Sequence, residues 1–520
     1  PEIHWSQLAS FCGVSWAEWS VLSARRLDVE SRTAAARMWA AWPLSWRSRT
    51  SVYAIDAAVK ALASSGASWK EAGRDALHLL VEASPKDAQA LGFAGAILIQ
   101  TYDDHETGER LLDRAMAQTT DAETWGALGE RLFEAARALA KRGPALLARA
   151  ISCFERWVEA SPMDAYARRR LADAQGELAA RTWADAPDRA ERLFTESEGQ
   201  YKAALAIKPD MHEAENNWGS LLGDRAKLVE DRDAGRAGEL YAAAEAHYRR
   251  AIELKPDMPE AEHNWGSVLK ARAELVKGRD PTRAGELYAA AEAHYRRAIE
   301  LKPDMPEAEN NWGNVLVARA EFVKDRDPGR ADELFAAAEV HYRRAIELKP
   351  DDHKAEYNWG SVLTRRAKLV KDRDAARADE LFAAAEAHYR RAIELKPDDP
   401  NIEDPLIAAL LWRSHILIAQ ERRAEASAMV EEALQRSRAV VERTGRPNYN
   451  LACALAQHGD VEQALETLEA LEQRGELVEL EWLLSDPDLA PLREYSGFGS
   501  LVERLRQATQ KRVPAEPSTA

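Results

Sequence analysis

The stretch HYRRAIELKPDMPEAE runs from His247 to Glu262, and the same sixteen residues return from His294 to Glu309. Edited copies begin at His341 and His388. Trp-Gly pairs at Trp218, Trp265, Trp312 and Trp359 recur every 47 residues, as does Lys-Pro-Asp from Lys208 to Lys396. A fixed period of this length marks a repeat architecture in which one supersecondary unit stacks on the next. Within a unit, Trp265, Leu269, Ala273 and Val276 share one helical face, and Ala284, Leu287, Ala291, Tyr295 and Ala298 resume the rhythm after a break. The break is chemically marked. Asp280-Pro281 and Asp327-Pro328 set an N-cap acceptor before a proline whose missing N–H costs nothing at the first helical position. The second helix is expected to stop at Lys-Pro-Asp, because proline disfavours helical geometry in the residue before it. Each unit reads as a helical hairpin, and the fold class as all-α, an α-solenoid.

A small residue or Gly in the first helix, then Ala291, Tyr295, Ala298 and Pro303, resembles the tetratricopeptide repeat. That repeat is normally about 34 residues long. Since the apolar phase runs unbroken up to the turn and restarts after it, the surplus is expected to divide between both helices, making each roughly 18 to 20 residues, near 30 Å. Shorter units flank the long ones: Ala61, Gly95 and Gly129 are spaced by 34, Ala172 follows, and Asn450 to Leu471 again fits the family length. The organisation expected is a Trp-rich helical region (1–50), repeats of 34–43 residues (51–205), four elongated repeats (206–400), further repeats (401–475), a closing helix (476–510) and a disordered tail (511–520). The hairpin from Leu406 to Ser437 has no register legible in the residues.

The chain has 520 residues, 46% apolar and 30% charged, with net charge −16. No apolar run has membrane-spanning length. The opening lacks the order of a secretory signal, and a start at Pro1 suggests a product trimmed from something longer. Cys12, Cys153 and Cys453 are far apart, which fits a reducing, cytoplasmic setting better than a disulfide framework. Residues 450–504 hold twelve Asp/Glu against three Lys/Arg. Such acidity argues against nucleic acid and toward a protein or peptide partner.

Several residues recur in register. Trp265 and its equivalents are expected to fill the core, with Gly266 admitting the paired helix. His247, His294, His341 and His388 suggest a metal ladder, but none has a second His or Cys a turn away, so no metal or cofactor is expected. Arg225, Arg272, Arg319 and Arg366 read either as a basic groove or as members of ion pairs. Asn217, Asn264, Asn311 and Asn358, with Asn450 in the later unit, occupy a helical position that propensity does not favour. They resemble the asparagine ladder of superhelical tetratricopeptide proteins such as the O-linked N-acetylglucosamine transferase. That resemblance implies amides holding a peptide main chain on a concave face; an amide donates and accepts, so it can pair with a peptide unit whatever its side chain. Asn bridging its own neighbours is the alternative.

The repeats from Asn217 and Asn264 differ at nine of 47 positions, mostly on the first helix. There His263, Lys270, Tyr357 and Arg365 are candidate reading residues; drift on a solvated face is the other account. The family's clamp for acidic chaperone tails is absent, since Asn216, His263, Asn310 and Tyr357 stand where it requires Lys.

The first fifty residues carry six Trp, and QLASFCGVSWAEWSVLSARR from Gln7 resembles a helix-turn-helix. A Trp-rich docking surface accounts for them better than DNA binding. No phosphate loop, metalloprotease motif or nucleophile elbow occurs. The expected function is a non-catalytic scaffold holding a peptide or partner segment on the concave face of a superhelix. The alternative is a regulatory or sensing arm of a bacterial signalling or defence effector, such as a caspase-like protease. A helix-turn-helix regulator is a minor third.

Overall fold

The computed structural model describes residues 86–139, 143–397, 399–477 and 480–512, with a few positions between 74 and 82. The Trp-rich residues 1–50 with their helix-turn-helix resemblance, the repeat around Ala61, and residues 513–520 lie outside the described residues. The chain divides into two compact bodies, Pro1–Pro256 and Asp257–Ala520. Every described element is helical, and consecutive helices pack as antiparallel hairpins, the arrangement of an α-solenoid.

In the first body, hairpins are formed by α1 (Ala88–Tyr102) with α2 (His105–Gln118), α3 (Ala122–Ala138) with α4 (Gly143–Ala160), α5 (Ala165–Thr182) with α6 (Pro187–Ile207), and α7 (His212–Val229) with α8 (Ala234–Leu254). The second body continues with α9 (Pro259–Val276) and α10 (Pro281–Leu301), α11 (Pro306–Val323) and α12 (Pro328–Leu348), α13 (His353–Val370) and α14 (Ala375–Leu395), and α15 (Pro400–Ala419) and α16 (Arg423–Thr444). It closes with the shorter α17 (Tyr449–His458) and α18 (Val461–Arg474), then α19 (Leu480–Ser485), a 3₁₀ turn (Pro487–Leu492) and α20 (Ser496–Arg512). The segment expected as one closing helix is thus a short helix, a 3₁₀ turn and a longer helix that runs through Lys511 and Arg512.

The elongated repeat divides as its phase suggests. First helices such as α9 have 18 residues and second helices such as α10 have 21, with no extra element inserted. Helices of this length are not confined to the four Trp-Gly repeats, because α5 and α6 have the same 18 and 21 residues, and α15 and α16 have 20 and 22. The turn chemistry is local. Asp233, Asp280, Asp327 and Asp374 each accept the backbone N–H three residues on, at 2.9 Å, which satisfies one of the donors a helix start leaves open. At the other end the helix gives way at Lys302, before Pro303.

Side-chain size sets the spacing inside a hairpin. Ala284, Ala291 and Ala298 of α10 are fully buried, and Tyr295 is 1% exposed. The Tyr ring lies on Gly266 of α9, where a Cβ would stand 3.1 Å from it; Tyr342 and Tyr389 lie likewise on Gly313 and Gly360. The repeated Trp is only half-buried. Its indole stacks on the His of its own second helix, with Trp265–His294, Trp312–His341 and Trp359–His388 centroids 4.0 Å apart. Each His holds a carboxylate one turn before its Trp: the Nδ1 atoms of His294, His341 and His388 lie 2.6 to 2.7 Å from Glu262, Glu309 and Glu356. These histidines are therefore hairpin braces, each committed to a stacking partner and a carboxylate within its own hairpin.

The register arginines join one hairpin to the next. Arg366 of α13 reaches back to Asp332 at 2.6 Å and Glu339 at 2.8 Å on α12. Arg225 does the same with Glu191 and Glu198, and Arg319 with Glu292. Arg413 of α15 takes Asp379 at 2.6 Å and Glu386 at 3.2 Å, the same two steps back in sequence as for Arg366. This settles the register of the 400–444 hairpin: Arg413 follows Arg366 by the same 47 residues.

Candidate functional site

First helices carry the polar row. In the second body, Asn311 Nδ2 lies 2.9 Å from His263 Nε2, and Asn358 Nδ2 donates to Asn310 Oδ1 at 2.9 Å. Asn450 Nδ2 donates to the backbone carbonyl of Asp404 at 3.3 Å. His263, Asn310, Tyr357 and Asp404 occupy one register position. Each of these amides thus reaches the residue before the ladder position, one hairpin back. In the first body Asn217 follows a different route: its Nδ2 donates to Asp173 at 3.0 Å, a carboxylate that also accepts Tyr201 OH at 2.6 Å. Asn264 stands beside His263, its Oδ1 3.3 Å from His263 Nδ1.

These contacts assign the imidazole. Asn311 offers an N–H, so Nε2 of His263 accepts it and the proton sits on Nδ1, facing Asn264 Oδ1. Burial holds His263 below the usual imidazole range, against the pull of Asn264 and the Glu307 and Glu260 charges. Asn217, Asn311, Asn358 and Asn450 each spend one N–H inside the chain, and a primary amide has two. His263 and Tyr357 both lean on the core tyrosine of their own hairpin, His263 edge-on to Tyr295 at 5.6 Å and Tyr357 tilted to Tyr389 at 5.9 Å. Lys270 is half-buried on α9, in register with Val317 and Thr364.

The row is interrupted at α15, where Pro405 takes the register place of the ladder Asn, before Asn450 on α17. Beside Pro405 and Ala408 opens a groove of about 500 Å³, lined further by Glu321, Lys324, Thr364, Arg365, Lys368 and Tyr389. Arg365 and Lys324 both hold Glu321, at 2.9 and 2.7 Å. Lys368 stands 4.6 Å from the centre of the Trp412 ring. Lys368 is solvent-exposed, yet the packed helices around it partly desolvate its ammonium and pull it below the usual lysine range, with the Arg365 charge acting in the same sense and Asp488, Asp486 and Glu321 against it. Of the groove residues, Arg365 was a sequence candidate; Lys368, Thr364 and Tyr389 were not. For Lys368 a signal was in the register, where Glu274 and Glu321 stand on α9 and α11, although Lys227 on α7 is already a lysine; Tyr389 is the unchanged tyrosine of every elongated repeat.

One further cluster has metal-binding elements: Cys453, Asp486 and Asp488 are buried within 4.8 Å of one another. Their oxygens are already engaged. Tyr449 OH donates to Asp486 at 2.8 Å, while His415 Nε2 and Gln457 Nε2 lie 2.6 and 3.1 Å from Asp488 Oδ1. Asp486 also caps the 3₁₀ turn through the N–H of Asp488 at 2.9 Å. Burial, with the Asp488 charge beside it, raises Asp486 above the carboxylate range, and burial raises Cys453 far above the thiol range. The cluster closes the C-terminal end of the second body.

No family model matches the chain, and no curated protein does. Solved structures resemble it in fold. A thermophilic TPR protein from Thermus thermophilus, TTC0263, is 18% identical over 46% of this chain and 98% of its own, with TM-score 0.33. The C-terminal part of a TPR repeat-containing protein from Cytophaga hutchinsonii is 15% identical over 65% of this chain and 99% of its own, with TM-score 0.37. A monomeric mutant of IFIT1 with Gppp-AAAA is 14% identical over 92% of this chain and 94% of its own, with TM-score 0.38. Among the described residues no helix is long and apolar enough to cross a membrane. By its stacked hairpins and its Gly–Tyr contacts, the chain is an α-solenoid with elongated repeats, similar in fold to tetratricopeptide-repeat proteins.

Proposed function

We propose that the chain is a non-catalytic scaffold that binds an extended peptide or partner segment along the first-helix face of its second body. The observation that carries this reading is a contrast within the chain. Second helices such as α10 and α14 are almost invariant in sequence, whereas the half-buried edge of the first helices changes from repeat to repeat at His263, Asn310 and Tyr357 beside a constant row of amides. An invariant frame with varying side chains along a polar row suits reading one segment residue by residue. The amides Asn311, Asn358 and Asn450 would hold main chain with the capacity they do not spend internally, Asn264 would continue their row, and His263, Lys270, Tyr357 and Arg365 would meet the segment's side chains. Asn217 would serve an equivalent role in the first body.

The test is selection of binders from a random decapeptide library displayed on phage, using the full chain, followed by hydrogen exchange of the complex with a synthesised binder. Protection of the first helices α9, α11 and α13, and loss of binding on His263→Ala with Tyr357→Ala, supports the reading. A library that yields no binder, or binders that protect only second helices, overturns it.

A further inference from the structure

The repeats of the second body nearly copy one another, so a change of charge confined to one of them is informative; in the first body the same two positions are Asp224 and Lys227, which pair with each other at 3.4 Å. One edge of α9 and α11 carries Ala271 with Glu274 and Ala318 with Glu321; on α13 the same positions are Arg365 and Lys368. Where the acid is present it serves the chain itself. Glu274 accepts Tyr288 OH at 2.6 Å and Lys277 at 2.5 Å, and Glu321 takes Lys324 and Arg365. In the α13–α14 hairpin that network is gone, because Phe382 replaces the tyrosine and Lys368 the acid. Phe382 is fully buried and has no hydroxyl to satisfy.

The substituted positions face the groove. Lys324, Arg365 and Lys368 line it against a single carboxylate, Glu321. Lys368 has no carboxylate within ion-pair distance among the described residues; it rests on the Trp412 ring, which offers a weaker, non-directional attraction. Thr364 and Tyr389 add hydroxyls, 3.4 Å from one another. Two cations one helical turn apart, beside the Tyr389 hydroxyl and over an aromatic face, match the two oxygens of a carboxylate; the Thr364 hydroxyl is spent on the Gly360 carbonyl at 3.0 Å. The excess is local in a chain whose net charge is −16, so general attraction for anions does not explain it.

We propose that this groove receives an internal Asp or Glu side chain of the bound segment, its carboxylate held between Arg365 and Lys368. The inference rests on the scaffold reading above and adds to it the residue class read where the amide row is interrupted. The partner carboxylate does not need to be a chain terminus, because Pro405 and Ala408 wall the groove without a further donor set.

The experiment uses the peptides selected above and one designed probe, fluorescein-labelled octaglutamate with an amidated C-terminus, alongside its octaglutamine counterpart and a single-stranded oligonucleotide. Selected peptides enriched in Asp or Glu at one position are expected, with octaglutamate bound, octaglutamine not, and affinity falling as salt is raised. Lys368→Glu and Arg365→Ala should each lower acidic-peptide binding at least about tenfold, while Lys368→Arg keeps it. Equal melting curves for these variants show that folding is intact, since both residues are exposed. Selected binders without an acidic position, and indifferent to Lys368→Glu, overturn this inference and leave the scaffold standing. Binding of the oligonucleotide through Arg365 and Lys368 in place of octaglutamate overturns it in favour of a phosphate ligand. Failure of the library to yield any binder overturns both readings.

Discussion

Tyr342 of α12 lies so close over Gly313 of α11 that a Cβ on Gly313 would stand 2.6 Å from its ring. At Gly266 the corresponding separation from Tyr295 is 3.1 Å. Both rings are about 1% exposed and have no room to turn. Gly313→Ala is therefore expected to lower stability by about 1 to 2 kcal/mol through overpacking. Gly266→Ala should be near neutral, because the better helix propensity of Ala, worth roughly 1 kcal/mol, offsets a milder clash. Urea unfolding of both variants checks the order; equal losses would mean the rings are not packed this closely.

The arginine joints are unequal, and one can be completed. Arg366 and Arg413 each hold two carboxylates, one of them Asp332 or Asp379. Gly285 stands in that register on α10, so Arg319 has Glu292 there and no Asp. A Cβ at Gly285 meets nothing within 4 Å. Gly285→Asp should thus stabilise the chain by about 0.5 to 1.5 kcal/mol, from reduced backbone freedom and a half-buried charge-assisted bond. Removing the guanidinium at the C-terminal joint, Arg413→Ala, should cost about 1 to 2 kcal/mol, since it leaves Glu386, which is 3% exposed, with Arg390 alone and Asp379 with Arg422 alone. Thermal melts of the two variants should move in opposite directions.

The His263–Asn311 contact makes a pH statement. Burial depresses the folded His263 pKa below its ordinary value. A depressed folded pKa contributes stability that is present above the unfolded pKa, near 6.5, and is lost as pH falls through the folded value. His263→Gln should accordingly flatten part of the stability loss seen as pH falls below about 6.5. Asn311→Asp, which places a carboxylate beside Nε2, should raise the His263 titration followed by its ring proton resonances. An unmoved titration would show that the two side chains do not touch in solution.

The amide row can be tested as a set. Asn217→Ala, Asn264→Ala, Asn311→Ala and Asn358→Ala together remove contacts worth roughly 0.5 to 1.5 kcal/mol each, while Ala repays roughly half a kcal/mol of helix propensity per position. Stability should fall by no more than about 1 kcal/mol per site, and affinity for a selected peptide should fall several-fold per rung. A variant that melts lower and binds as before would assign the amides to hairpin stacking alone.

The 47-residue spacing of Trp218, Trp265, Trp312 and Trp359 was enough to read hairpins, turn positions and an all-helical solenoid, because helix phase and capping are local properties carried by neighbouring residues. The Asp280 cap, the Lys302 stop and the Gly266–Tyr295 approach could all be read from residue type and spacing. What the imidazoles, guanidiniums and amides hold could not, since His294 finds Glu262, Arg366 finds Asp332, and Asn358 finds Asn310 across 32 to 48 residues. A repeated polar residue has many possible partners at such separations, and only packed neighbouring helices choose among them. The groove shows the same division. That Arg365 and Lys368 break the repeat is written in the chain; that they open beside Pro405 and Trp412 is decided by α15 folding against α13 and α14, where shape, not spacing, brings the cations to one surface.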